Sequence, residues 1–325
     1  MKTRREFMAT ASSAAAGLAG LSVPAFAQQG YPSEDLHFVC SFPPGTGPDL
    51  ITRYFAERIR PLANRNIIVE NRPGQRGILA LGHVVRAKPD GHTIFVHAGS
   101  AVAASMSVFK NPPTDVAKTV QVAATISRLG FMLIVAATSP YQTLAELTKA
   151  MKEKGTKATY ASSTQDGLVM GELYKAATGV QAVEVPYKQV ADSLNDLLGG
   201  QVDYTFGSTI FSLPLAKAGR IRILGISTGT RLESVPDVPT MTEQGVPMDL
   251  TSWFAAMVHK DTPRPVVEQI HQWFSQVVKT EESKKFFNNI GNDTLDLSIN
   301  KAQADLLKEI DNWREYVRVA KIQPE

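Results

Sequence analysis

The sequence holds a single cysteine, Cys40, in 325 residues. An internal disulfide framework and a cysteine-rich metal cluster are therefore excluded. Cys40 lies in the apolar run Leu36-His37-Phe38-Val39-Cys40-Ser41-Phe42 and reads as a buried core thiol, with no base nearby to make it a nucleophile. No stretch approaches about 18 consecutive apolar residues, so no membrane-spanning helix is expected. Strong charge is missing as well. The net charge is +3, and Lys2, Arg4 and Arg5 against Glu6 put +2 of it in the first 27 residues, leaving 3 − 2 = +1 for the rest. No basic patch with interleaved aromatics remains, so nucleic acid is not an expected partner. Six histidines (His37, His83, His92, His97, His259 and His271) show no metal-ligand spacing, and no metal is expected. Internal repeats and heptads are also absent, and glycine and proline are too few for a collagen-like or disordered chain.

The chain opens on a basic head, Lys2 to Arg5, followed by an Ala-rich, moderately apolar stretch and Ala25-Phe26-Ala27, a small-x-small cleavage pattern. This layout predicts an export signal over residues 1–27 and a mature chain from Gln28, 325 − 27 = 298 residues long. Arg4-Arg5 followed by Phe7 resembles the twin-arginine type. No cysteine follows the cleavage site, so no lipid anchor is expected, and the mature protein should be soluble in the periplasm.

Beyond the signal, strands and helices alternate. Residues 36–41, 66–69 and 93–97 read as strands, with helices between them that start after 49 and at 78. The alternation resumes with strands at 131–137, 156–161, 181–186, 202–206 and 221–226. Helices fall at 144–154, 167–178 and 190–198, the first opened by a Thr143/Glu146 capping box. A strand at 253–259 and two amphipathic helices, marked by Val267, Ile270 and Phe274 and by Leu306, Ile310, Trp313 and Val317, close the chain. The pattern argues an α/β protein built on parallel strands, and the length favours two domains. Ligands of open α/β sheets sit at the carboxyl ends of the strands. That directs attention to loops 42–49, 98–105, 162–167, 187–190 and 207–212. Trp253, Trp273 and Trp313 read as core.

Two local motifs suggest other chemistry. Gly45-Thr46-Gly47-Pro48-Asp49-Leu50 has half of a dinucleotide fingerprint, with Glu70 about 20 residues on, but Leu50 stands at the third glycine position. What survives is a helix N-terminus whose free N–H groups suit an anion, carboxylate or phosphate. Gly225-Ile226-Ser227-Thr228-Gly229 fits a hydrolase nucleophile elbow after a strand, but the residues that follow are poor helix formers. An exported serine hydrolase using Ser227 is therefore the rival reading.

Several segments together resemble one family. They are Phe42-Pro43-Pro44-Gly45 with Asp49, Glu70-Asn71-Arg72-Pro73-Gly74, Lys88-Pro89-Asp90-Gly91, Tyr160-Ala161-Ser162-Ser163 and Val185-Pro186-Tyr187-Lys188. Further on come Asp196 to Gly200, Lys217 to Arg222 and Val235-Pro236-Asp237-Val238-Pro239-Thr240. In this order they are similar to the substrate-binding proteins of tripartite tricarboxylate transporters, the Bug-type receptors. The resemblance implies a two-lobed periplasmic binding protein type II fold, a Venus flytrap, with lobe one at 28–128 plus 250–325 and lobe two at 129–249. It implies a monomeric, non-enzymatic receptor without cofactor. Such a receptor holds one small organic dicarboxylate or aromatic acid and delivers it to the membrane subunits of a transporter; presentation to a signalling kinase is the variant role. Carried over by position, the ligand loops are Phe42, Gly45, Thr46, Gly47 and Asp49; Ser100; Ser162, Ser163, Thr164, Gln165 and Asp166; Lys188; and Gly207 and Ser208. The chain departs from the family at Thr46, at Gly207 and over 164–167, so ligand identity does not transfer. Asp166 either faces the ligand, where it repels an anion and favours an amine or hydroxyl, or N-caps the helix at 167–178.

Overall fold

The computed structural model describes residues 30–74 and 77–324, and residues from Glu34 onward form one unit. The expected export signal lies outside the described residues. The chain runs β1 (Leu36–Cys40), α1 (Gly47–Ala63), β2 (Ile67–Asn71), α2 (Ile78–Val84), β3 (Thr93–Ala98), α3 (Gly99–Val108), α4 (Val116–Thr119) and β4 (Val120–Ala136). It continues with α5 (Leu144–Lys154), β5 (Thr159–Ser162), α6 (Gln165–Thr178), β6 (Val183–Pro186), α7 (Val190–Leu198), β7 (Tyr204–Ser208), α8 (Thr209–Lys217) and β8 (Ile221–Ile226). It ends with β9 (Thr251–His259), α9 (Arg264–Val278), α10 (Glu281–Asn289), β10 (Asp293–Thr294) and α11 (Ile299–Val319).

β2, β1 and β3 are parallel, as the strand–helix alternation requires. β9 then adds antiparallel to β3. The 17-residue β4 joins two sets of strands. Its first part, Val120 to Gly130, pairs with β9. Its second part, from Phe131 on, lies between β7 and β8, and β7 leads on to parallel β5 and β6. Sequence patterning detects only the second part of β4. The first, Val-Gln-Val-Ala-Ala-Thr-Ile-Ser-Arg-Leu, holds small and polar residues that mask its burial.

Gly130 stands where β4 changes partners. A Cβ there would meet Ile226 at 2.6 Å and Thr228 at 2.8 Å, so the close approach of the strands excludes any larger residue. Beside it, the buried Ser227 hydroxyl accepts from Phe131 N–H at 3.0 Å and donates to the Leu250 carbonyl at 2.6 Å. One side chain thus ties β4, β8 and the chain that enters β9.

Helix α3 occupies a stretch expected as loop. Its Gly, Ser, Ala and Val residues give no amphipathic signal, because α11 covers one side of it and the sheet the other. The expected stripe of α11 is buried: Leu306, Ile310, Trp313 and Val317 face inward. On the other side of the sheet the Phe55 ring stacks on Phe274 at 5.0 Å, and Phe274 stacks on Phe38 at 5.6 Å. Trp313 is fully buried in an apolar cluster with Leu306, Ile310 and Trp253. Trp313→Ala should cost ~3–5 kcal/mol of unfolding free energy, measured by urea denaturation.

Candidate functional site

The carboxyl ends of β1, β3, β5 and β7 each lead into a helix: α1, α3, α6 and α8. The helices they open touch in pairs. A Cβ on Gly47, at the start of α1, would stand 2.1 Å from Ile210 in the first turn of α8. α6 packs against α3 and also against α11.

The first turn is preset by its own polar groups. Gly45 has φ +81°, a left-handed conformation that suits glycine. The Thr46 hydroxyl donates to the Pro43 carbonyl at 2.8 Å and makes no side-chain cap. The buried Asp49 carboxylate accepts from Gly45 N–H at 2.8 Å, Arg53 Nε at 3.0 Å and Asn71 Nδ2 at 2.7 Å. Burial opposes its charge, but these bonds outweigh that and hold the carboxyl below its usual range. Asp49 therefore fixes the turn, and its oxygens are engaged there. Phe42 is half-buried, with its ring 5.4 Å from the His97 ring.

The second turn is closed by two hydroxyls: buried Ser100 bonds buried Ser252. A Cβ on Gly99 would meet the Trp253 indole at 2.4 Å, so this ring lies directly against the start of α3.

The third turn corrects the choice left open for Asp166. Thr164 is the N-cap of α6, its hydroxyl accepting from Gly167 N–H at 3.0 Å, and the helix starts at Gln165, two residues earlier than the spacing predicts. Asp166 thus sits in the first turn, and its buried Oδ1 has no hydrogen-bond partner. The Ser162 hydroxyl donates to Glu184, and Ser163 Oγ is 3.5 Å from Ser193 Oγ. Gly207 and Ser208 end β7 opposite Met132 and Phe131, half-buried. Lys188, past the end of β6, is exposed, and its neighbour Tyr187 donates its N–H to the Ser162 carbonyl at 2.7 Å.

The rival nucleophile has no means of activation. Ser227 is fully buried with both hydroxyl roles taken by backbone, and bends rather than a helix follow it. The Cys40 thiol is buried, and burial pushes its pKa up. Histidine spacing along the chain also missed one gathering: Glu34, Asp90 and His92 bring a ligand-type atom each within 4.8 Å of one another.

Sequence reasoning missed several residues at the turns. His97, the penultimate residue of β3, is buried 3.3 Å from the Ser41 hydroxyl, and burial lowers its pKa to about 4, so the ring is neutral. Glu309 lies on α11, next to the buried Ile310 of its apolar stripe. A cavity of about 370 Å³ beneath α11 is lined by Trp253, Glu309 and Asn312 and contains none of the sequence-derived ligand residues. Burial raises the Asp166 carboxyl to about 7. Burial also raises Glu309 to about 7; the charges of Asp166 and Asp305 add to the rise, while the Trp313 indole and Lys308 oppose it.

A carboxyl with a raised folded-state pKa holds its proton more tightly in the fold than in the unfolded chain. Its contribution to stability is complete below about pH 4 and is lost as pH rises through about 7. Asp166→Asn should therefore gain stability relative to the parent chain as pH goes from 4 to 8, by on the order of 3 kcal/mol, in denaturant titrations across that range.

Residues 51–320 match the model of the family described as "Tripartite tricarboxylate transporter family receptor". A UPF0065 protein of Cupriavidus necator is 30% identical over 85% of this chain and 85% of its own length. Among solved structures, R. palustris Rpa4515 with adipate superposes with a TM-score of 0.84 at 27% identity, covering 91% of this chain and all of that one. The periplasmic binding protein BugD gives 0.80 at 25% identity with the same coverage. The fold, a mixed α/β sheet shared with these two-lobed binding proteins, agrees with the family match over 51–320, and the chain belongs to the tripartite tricarboxylate transporter receptor family.

Proposed function

We propose that this protein is a periplasmic solute receptor that closes two lobes on a small carboxylate and passes it to the membrane subunits of a tripartite transporter. The observation that carries this reading is contact across the partner change in β4: the start of α1 at Gly47 lies against Ile210 of α8, and α3 packs against α6. In this reading lobe one comprises 28–128 plus 250–325 and lobe two 129–249, with β4 and β9 as crossings. The adipate seen with R. palustris Rpa4515 supports a carboxylate as the ligand class.

Capture then works through hydrogen bonds rather than net charge. The first-turn N–H groups of α1 at Gly47 and Asp49 have no acceptor inside the helix and point at the turn, and an anion there is favoured by the helix dipole. Phe42 supplies an apolar wall beside Thr46. On the opposite lobe Ser163, Thr164, Gln165, Gly207 and Ser208 frame the ligand. Asp49 and Ser100 act from behind by holding their turns. No step of bond making or breaking is assigned to any residue, and the protein acts as a monomer.

Lobe closure requires that ligand bind the closed form better than the open one. Small-angle scattering should show the mature chain shrinking when a bound dicarboxylate such as adipate or succinate is added. Tight binding with an unchanged radius of gyration rules out the lobe-closure mechanism. For the route of export, replacing Arg4-Arg5 by Lys-Lys should strand the chain in the cytoplasm, read by cell fractionation. The exported parent should have the mass of a chain beginning at Gln28.

A further inference from the structure

The gathering of Glu34, Asp90 and His92 lies away from the ligand turns. Glu34 stands two residues ahead of β1, and Asp90 and His92 belong to the turn that enters β3. β1 and β3 run parallel, so the gathering is at their amino ends and the ligand turns are at their carboxyl ends. The five residues of β1 separate the two by ~17 Å.

The gathering is built around a buried imidazole. The His92 side chain is only 10% exposed, and its Nδ1 is aimed at both acids, 3.1 Å from Asp90 Oδ1 and 4.0 Å from Glu34 Oε1. Asp90 Oδ1 also accepts from His92 N–H at 3.0 Å, which holds the carboxylate beside the ring. The His92 carbonyl accepts from His37 N–H at 2.8 Å and so anchors the turn on β1. Glu34 comes from a separate stretch of chain and is exposed.

The separation between Nδ1 and Glu34 is too long for a hydrogen bond. It suits a shared cation instead. Ligands about 2.1 Å from one metal ion stand about 3.4 Å apart in a tetrahedron and about 4.2 Å apart across an octahedron. The two carboxylates balance a divalent charge. The imidazole nitrogen favours zinc and its transition-metal neighbours over calcium and magnesium, which take oxygen ligands. Water completes the shell on the exposed side.

We propose that Glu34, Asp90 and His92 bind a divalent transition metal ion of the zinc type, which clamps the start of β1 to the turn that enters β3. The inference is independent of the receptor reading, because none of the three residues belongs to a ligand turn. An ion that binds only the folded chain stabilises it, so its role here is structural.

The test uses the mature chain stripped with a chelator, with zinc chloride as the probe in calorimetry and thermal unfolding. One zinc ion per chain should bind and raise the unfolding midpoint, and magnesium at the same concentration should do neither. Glu34→Gln should weaken zinc binding by about 10-fold or more, and His92→Asn should abolish it. Glu34 is exposed, so its variant keeps the fold even where loss of the buried ring does not. Absence of zinc uptake overturns the site. Uptake that Glu34→Gln leaves unchanged overturns it too, because the ion then sits elsewhere, as at the contact of His37 with Glu70. An equal response to magnesium overturns the choice of metal class.

Discussion

A single backbone has to serve two sheets, and the rest of the molecule is arranged around that requirement. β4 pairs with β9 up to Gly130 and with β7 and β8 from Phe131 on. A side chain at 130 would force the strands apart. The Ser227 hydroxyl, which a motif search reads as a nucleophile, instead bridges the three chain segments at that point. Near it, the Thr209 hydroxyl donates to Asn292 at 2.7 Å, and Asn292 reaches Ser127 on β4. Asp293 adds a second tie, accepting from Arg128 and from the backbone N–H groups of Glu233 and Ser234. Buried polar groups of this kind are costly unless satisfied, so each fixes the geometry around the partner change.

The turns that face the site follow the same logic. Asp49, Ser100 and Ser162 are polar residues in the expected positions, but their side chains bond to the protein itself. They hold the backbone so that helix starts point one way, and recognition falls to main-chain N–H groups and a few neighbours. Asp166 is the exception, as an acid whose buried Oδ1 has no hydrogen-bond partner. A near-neutral chain can carry such an enclosed acid, because composition averages over residues that never meet.

Much of the architecture was legible in sequence because parallel strands with both faces covered read as apolar runs, and amphipathic helices carry their stripe openly. Ile270, Phe274, Leu306 and Trp313 fall where periodicity puts them. α3 and the first part of β4 escaped because small residues packed on every side leave no periodic contrast. In the candidate site, position along the chain located the turns but could not tell which oxygens remain free. That Thr164 rather than Asp166 caps α6 depends on where the helix begins, a matter of two residues. Glu309 escaped for a different reason: it comes from a helix 143 positions further along the chain, and only packing of α11 against α6 brings it near.

The packing of α11 against α3 also bears on how the chain matures. Helix α11 covers a segment made some 200 residues earlier, so α3 has no lid until α11 has been made. Contacts so distant in sequence form late and slowly. A nascent chain therefore carries an uncovered Ala- and Val-rich face while those residues are added. Truncation ahead of α11 would leave that face open for good.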